Sequence, residues 1–235
     1  MDDIIRALED VARPEKVAIL LSFFKTGKGQ YGEGDVFIGV AVPDQRKVAS
    51  QFMDISLDEV AWLLASKVHE HRLTGALILV EKFKKADRIR REEVFDFYIR
   101  NIKGINNWDI VDLTAPSIVG AFLLDRPRGL LFKMARSSNL WERRIAVVST
   151  YTFIRNSQFD DTLKISEILL EDKHDLIHKA CGWMLREVGK KDEKVLKGFL
   201  NKHATTMPRT MLRYAIERLD APSRSKFMAR PGRGA

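Results

Sequence analysis

The stretch Asn106-Asn107-Trp108-Asp109-Ile110-Val111-Asp112 sets an indole and a carboxylate four residues apart. On a helix both project from one face. Two later runs, Trp141-Glu142-Arg143-Arg144 and Gly182-Trp183-Met184-Leu185-Arg186, add further indoles and guanidiniums. Each motif alone is weak. As successive units of a helical repeat they would bring Trp108, Asp112, Arg144 and Trp183 towards one concave surface: two aromatic faces, one anion and one guanidinium. Other chemistries are set aside, because the chain has no Walker loop, nucleophile elbow, paired cysteines or HExxH. His174 and His178 stand four apart, which is ligand spacing, but no third ligand is evident. No metal and no cofactor is expected.

The elements that must position these side chains are helices. Pro14 to Thr26 opens with a proline, which a first helical turn tolerates, and keeps its apolar residues to one side. Four glycines within Gly27–Asp35 then break the helix, and Val36-Phe37-Ile38-Gly39-Val40 is β-prone. A short hairpin at about 28–41, or an ordered loop, is the expectation. Pro43 starts another helix. Ser56 followed by Glu59 reads as a capping box. Further helices are expected at about 69–86, 90–102, 109–114, 116–124, 128–136, 140–155, 160–171, 175–190, 192–203 and 207–219.

These helices repeat. Ala76, Ala146, Ala180 and Ala215 look equivalent and are separated by 70, 34 and 35 residues, the first gap being two beats. The missing beat falls near residue 111, inside the Trp108–Asp112 segment. A period in the mid-thirties with paired helices means an α-solenoid, read as all-α and right-handed with about six helical pairs. The alanines would give close approach between helices. A cation lies shortly before the alanine in most units: Arg72, Arg144, Lys179 and Arg213. Stacked repeats would line these up on one face, suited to tracking a phosphate backbone; scattered solvated charges are the alternative.

The 235 residues, 45% of them hydrophobic, suffice for a real core. Lys and Arg outnumber Asp and Glu 40 to 32, and the net charge of +8 favours a polyanionic partner without establishing one. With only Cys181, no disulfide can form within the chain, which fits a reducing compartment. Its neighbours Ala180 and Gly182 suggest a small residue packed between helices rather than a nucleophile. The acidic, amphipathic start is not a signal peptide, and no apolar run approaches the ~20 residues a membrane span needs. A cytoplasmic monomer is expected, nucleoid-associated when bound to DNA and with no membrane partner. Residues 1–220 read as one repeat domain and 221–235 as a basic, disordered tail.

The constellation resembles the AlkD-like DNA alkylation repair proteins, HEAT-like-repeat DNA glycosylases. The resemblance covers residues from about 14 to 219. It rests on Phe37-Ile38-Gly39-Val40 with Pro43 and Arg46, on Asn107 to Asp112, on Trp141 to Arg144, and on Lys179 to Glu187. It implies hydrolysis of the N-glycosidic bond of N3- or N7-alkylated purines in double-stranded DNA, without flipping the base into a pocket. Asp112 would stabilise positive charge on the deoxyribose and guide water. Trp108 and Trp183 would offer π faces to the cationic sugar, and Arg144 would hold a neighbouring phosphate. Arg46, Arg72, Lys179 and Arg213, with Lys28 and Tyr31 of the glycine-rich segment, would contact DNA.

On the residues alone, Trp108 and Trp183 read as solenoid core, Asp112 as a cap near Thr114, and Arg144 as a partner of Glu142 or of a neighbouring helix. Two positions depart from the pattern of active members. Phe23-Phe24-Lys25 stands where they carry a tyrosine, and Val40-Ala41-Val42-Pro43 where they carry a glutamine before a Thr-Pro step. Some paralogues with a β-hairpin lack glycosylase activity and bind branched DNA. A noncatalytic binder of branched or damaged DNA is therefore the alternative.

Overall fold

The computed structural model describes residues 2–229. They are almost entirely helical and fall into two compact units, Met1–Ile118 and Val119–Ala235. The all-α repeat class expected from the alanine period is the class adopted. Where the repeat reading takes 1–220 as one array, the chain divides after Ile118.

The first unit holds α1 (Asp2–Glu9), α2 (Val17–Phe23), α3 (Val42–Gln51), α4 (Leu57–Leu64), α5 (His69–Lys85), α6 (Arg88–Arg100) and α7 (Trp108–Thr114). Helix α5 is its axis: α3, α4, α6 and α7 all pack on it. Every residue from His69 to Val80 is buried, the charged first turn included. Close approach of α4 is possible because residue 75 is glycine, where a Cβ would meet the Leu63 Cβ at 2.9 Å. The Ser56–Glu59 capping box forms as expected, with the Ser56 hydroxyl accepting from the Glu59 N–H and the Glu59 carboxylate accepting from the Ser56 N–H.

The second unit holds α8 (Gly129–Met134), α9 (Leu140–Arg155), α10 (Asp160–Ile168), α11 (Asp175–Lys191), α12 (Glu193–His203), α13 (Arg209–Ile216) and α14 (Ala221–Met228). Here α11 is central, packed by α9, α10, α12 and α13. Ala146, Ala180 and Ala215 are buried, as Ala76 is in the first unit, which fits their reading as close-approach positions. Cys181 is buried too, and burial pushes its thiol far up, so it is not a reactive thiolate.

Two expectations are corrected. No hairpin forms at 28–41. Lys25 takes a left-handed conformation that ends α2, and the glycine-rich segment turns back onto that helix end. The Gly32 N–H donates to the Lys25 carbonyl, and the Tyr31 hydroxyl to the Phe23 carbonyl. Val36 makes one isolated parallel bridge, to Val68. The tail is also more ordered than expected: Asp220 caps α14 and Pro222 sits in its first turn. Residues 230–235, the rest of that tail, lie outside the described residues. Among the described residues no helix is long and apolar enough to cross a membrane.

The segment after Val36 is held by a buried side chain. The Glu70 carboxylate, 1% exposed, accepts the N–H groups of Ile38, Gly39 and Val40 at 2.8 to 3.2 Å. The turn needs glycine at 39, where φ is +89° and a Cβ would lie 2.1 Å from the Arg13 carbonyl oxygen. Gly39→Ala is expected to destabilise the first unit by about 1–3 kcal/mol through backbone strain alone, with the steric conflict adding to it. A urea melt checks this.

Candidate functional site

Helix α7 carries Trp108 and Asp112 one turn apart, both half-buried. Its start is fixed by two side chains that flank the indole. The Asn107 carbonyl oxygen caps the Trp108 N–H at 2.8 Å, and the Asp109 carboxylate accepts the Ile110 N–H at 2.8 Å. Both side chains then reach into the unit. Asp109 meets His69 Nε2 at 2.8 Å, and the Asn107 amide donates to Asp35 at 3.1 Å. Asp35 also faces His69 Nδ1 at 3.4 Å and accepts from Arg72 at 2.7 Å. Two carboxylates, one imidazole, one guanidinium and one amide thus form a buried network under the start of α7.

Electrostatics follow from that geometry. Burial opposes protonation of His69, but hydrogen bonds to Asp109 and Asp35 and the Asp109 charge outweigh it, and the imidazole's pKa is raised. Burial likewise opposes the charged form of Asp35, yet the His69 and Asn107 hydrogen bonds and the Arg72 charge hold its pKa below the usual value. With His69 protonated the two cations balance the two anions.

Aromatic rings connect this network to the indole. Trp108 stacks on Phe24 at 5.4 Å, Phe24 on Phe37 at 5.0 Å, and Phe37 on His69 at 4.7 Å. Phe23, 59% exposed, meets the Trp108 ring edge-on at 5.7 Å. Trp108 is thus backed by rings on one side without being core. Lower on α7, Thr114 donates to the Ile110 carbonyl, which leaves the buried Tyr98 hydroxyl to donate to Thr114. Burial, aided by the Asp112 charge, raises the Tyr98 pKa and keeps that hydroxyl protonated.

In the second unit, Trp183 is half-buried on α11 with its ring 5.9 Å from that of Tyr151. Arg144 is buried, and one guanidinium nitrogen donates to the Leu176 carbonyl. Lys179, partly exposed, pairs with Asp175 at 2.7 Å, and Arg213 is exposed. In the first unit Arg46 and Lys28 are exposed.

The expected cationic stripe is therefore corrected at two of its four positions. Arg72 and Arg144 point inward: the Asp35 carboxylate holds Arg72, and the Leu176 carbonyl in the first turn of α11 accepts from Arg144. Arg72 also donates to the carbonyls of Ser66 and Lys67, just before α5. Arg143 does the same before α9, donating to Ser137 and Ser138 and pairing with Asp172 at 2.6 Å. His174 and His178 are likewise engaged, one accepting the Leu176 N–H and the other bonded to the Asp172 carbonyl.

Sequence reasoning missed Asp35, His69, Glu70, Asn107 and Asp109 as site-building residues. A signal existed for Asn107 and Asp109, polar residues bracketing Trp108 at a helix start. None existed for Asp35 and His69, which lie far away along the chain.

A profile of the DNA alkylation repair enzyme family matches residues 4–219. The chain belongs to that family. DNA alkylation repair is thus its field of action, and DNA the substrate that membership implies. A solved structure described as a predicted DNA alkylation repair enzyme from Enterococcus faecalis superposes with a TM-score of 0.70 at 15% identity, covering 89% of this chain and 97% of that one. That likeness speaks for the shared fold. No curated protein matches significantly.

Proposed function

We propose that the protein is a DNA glycosylase that hydrolyses the N-glycosidic bond of N3- and N7-alkylated purines in duplex DNA. Alkylation makes the base cationic, so it departs without a general acid. The C1′–N bond breaks with its electron pair going to the base, which leaves neutral. Water adds to C1′ and gives up one proton. The protein's task is to stabilise the positive charge that builds on the sugar and to direct that water.

The observation that carries this reading is the pairing of Asp112 with Trp108 on one face of an α7 whose start is locked by a buried network. Asp112 supplies the anion and Trp108 a π face for the cationic sugar. Phe23 keeps a ring at the position where active members carry tyrosine but lacks the hydroxyl, so it can shield Trp108 without hydrogen bonding. Trp183 is assigned the second π face. Phosphate contact falls more readily to the exposed Arg46, Lys28 and Arg213 than to Arg144 or Arg72, which are buried. Tyr31 and Lys179 complete the proposed DNA contacts, and the protein acts as a monomer without a cofactor.

Incubation with methylated duplex DNA tests the reading. Free methylpurine and an equal number of alkali-labile abasic sites are expected, with duplex binding that weakens steeply as salt rises. Tight binding of a four-way junction without base release would instead make the protein a noncatalytic DNA binder.

A further inference from the structure

We propose that His69, bridging Asp35 and Asp109 beneath the start of α7, is a positioning residue that holds Trp108 and Asp112 in the geometry the reaction needs. The proposal rests on the glycosylase reading of α7, and it names a residue that touches neither DNA nor the reacting atoms.

His69 is 2% exposed and lies on α5, the axis of its unit. Its two ring nitrogens face two carboxylates that reach the indole by separate routes. Nε2 holds Asp109, which follows Trp108 directly in the chain. Nδ1 faces Asp35 Oδ2, the same oxygen that accepts the Asn107 amide, while the carbonyl oxygen of that amide caps the Trp108 N–H. The backbone on both sides of Trp108 is thus tied to one imidazole. A third tie is lateral, through the Phe37 and Phe24 rings to the indole. Movement of His69 therefore reaches Trp108 from three directions and Asp112 through the helix they share.

The charged groups facing His69 are Asp35 from the segment before α3, Arg72 from α5 and Asp109 from α7. The C-cap of α2 and the segment around residue 37 bring the rings of Phe24 and Phe37 against His69. Loss of the imidazolium proton would leave this buried set with one net negative charge and a single ring N–H for its two carboxylates. Such a set is costly, so the network loosens. Because the pKa is raised on folding, the stabilisation is complete below the ordinary histidine value of about 6.5 and is lost as pH rises through the folded-state pKa. Base release should decline along the same alkaline limb.

The test compares wild type with His69→Gln, which keeps a polar side chain but cannot bridge two carboxylates or carry charge. Two readouts are taken: single-turnover release of methylpurine from methylated duplex, and the indole N–H resonances of the four tryptophans. The variant should lose about a hundredfold in release rate with unchanged duplex affinity. The Trp108 resonance should shift, while those of Trp141 and Trp183 stay in place. Release at the wild-type rate, or an unmoved Trp108 resonance, overturns the proposal. If wild type releases no base, the glycosylase reading fails and the spectrum alone decides on positioning. If His69→Gln does not fold, a pH titration of wild type replaces it: a Trp108 resonance that moves together with the His69 ring signals supports the proposal, and one that stays flat while His69 titrates overturns it.

Discussion

Glu70→Gln is expected to destabilise the first unit by about 2–4 kcal/mol and to lower its melting temperature by roughly 5–10 °C. The carboxylate is almost fully buried and accepts three consecutive backbone N–H groups, from Ile38, Gly39 and Val40. Glutamine fills the same space but has one oxygen where the carboxylate has two, and no charge. Its NH₂ group would face a backbone donor, and a buried donor left without an acceptor bears a desolvation penalty. The damage would spread towards the site, since Phe37 precedes these residues and lies beneath Phe24, which lies beneath Trp108. Denaturant melts of the two proteins check the stability, and a red-shifted tryptophan emission at low denaturant would report the loosened stack. An unchanged midpoint would mean that the segment is held by Val36 and Gln45 instead.

Asp112→Asn is expected to cut base release by about 10²–10³-fold, while duplex affinity stays the same or rises. Asparagine preserves shape and removes the charge. If the carboxylate serves the developing sugar cation, its loss is felt as charge builds on C1′, so the rate falls and ground-state binding does not. Affinity can even increase, because one negative charge leaves a surface that meets a polyanion. A collapse of affinity or of the melting temperature would make Asp112 structural. Binding to duplex DNA at two salt concentrations, beside a melt, separates these outcomes.

What was legible in the sequence was whatever repeats or sits close by along the chain. The buried alanines, the Ser56–Glu59 capping box and the Trp108–Asp112 spacing are local patterns, and each has its expected structural counterpart. The glycine-rich segment misled because glycines mark hairpins and packed turns alike. Gly29 and Gly34 do adopt positive φ, but they serve turns that fold back on the end of α2, and Val36 finds its partner at Val68 rather than across a hairpin. Repeat position also said nothing about which way a long side chain turns. Arg72 and Arg144 stand near equivalent alanines, yet backbone carbonyls, one in a loop and one in the first turn of α11, draw both guanidiniums inward. The Asp35–His69–Asp109 network joins three distant points of the chain, and such a contact has no signature in local spacing. The start of α14 was readable: Asp220-Ala221-Pro222 is a cap with a first-turn proline, masked by the basic composition of the C-terminal residues.

Single-turnover release of 7-methylguanine and 3-methyladenine from methylated duplex DNA, with wild type and Asp112→Asn side by side, bears most directly on the glycosylase reading. Release of free base by wild type at a rate far above the spontaneous one, lost in the variant while duplex binding persists, is the predicted result. Equal rates in the two proteins, or no release by wild type, would contradict it.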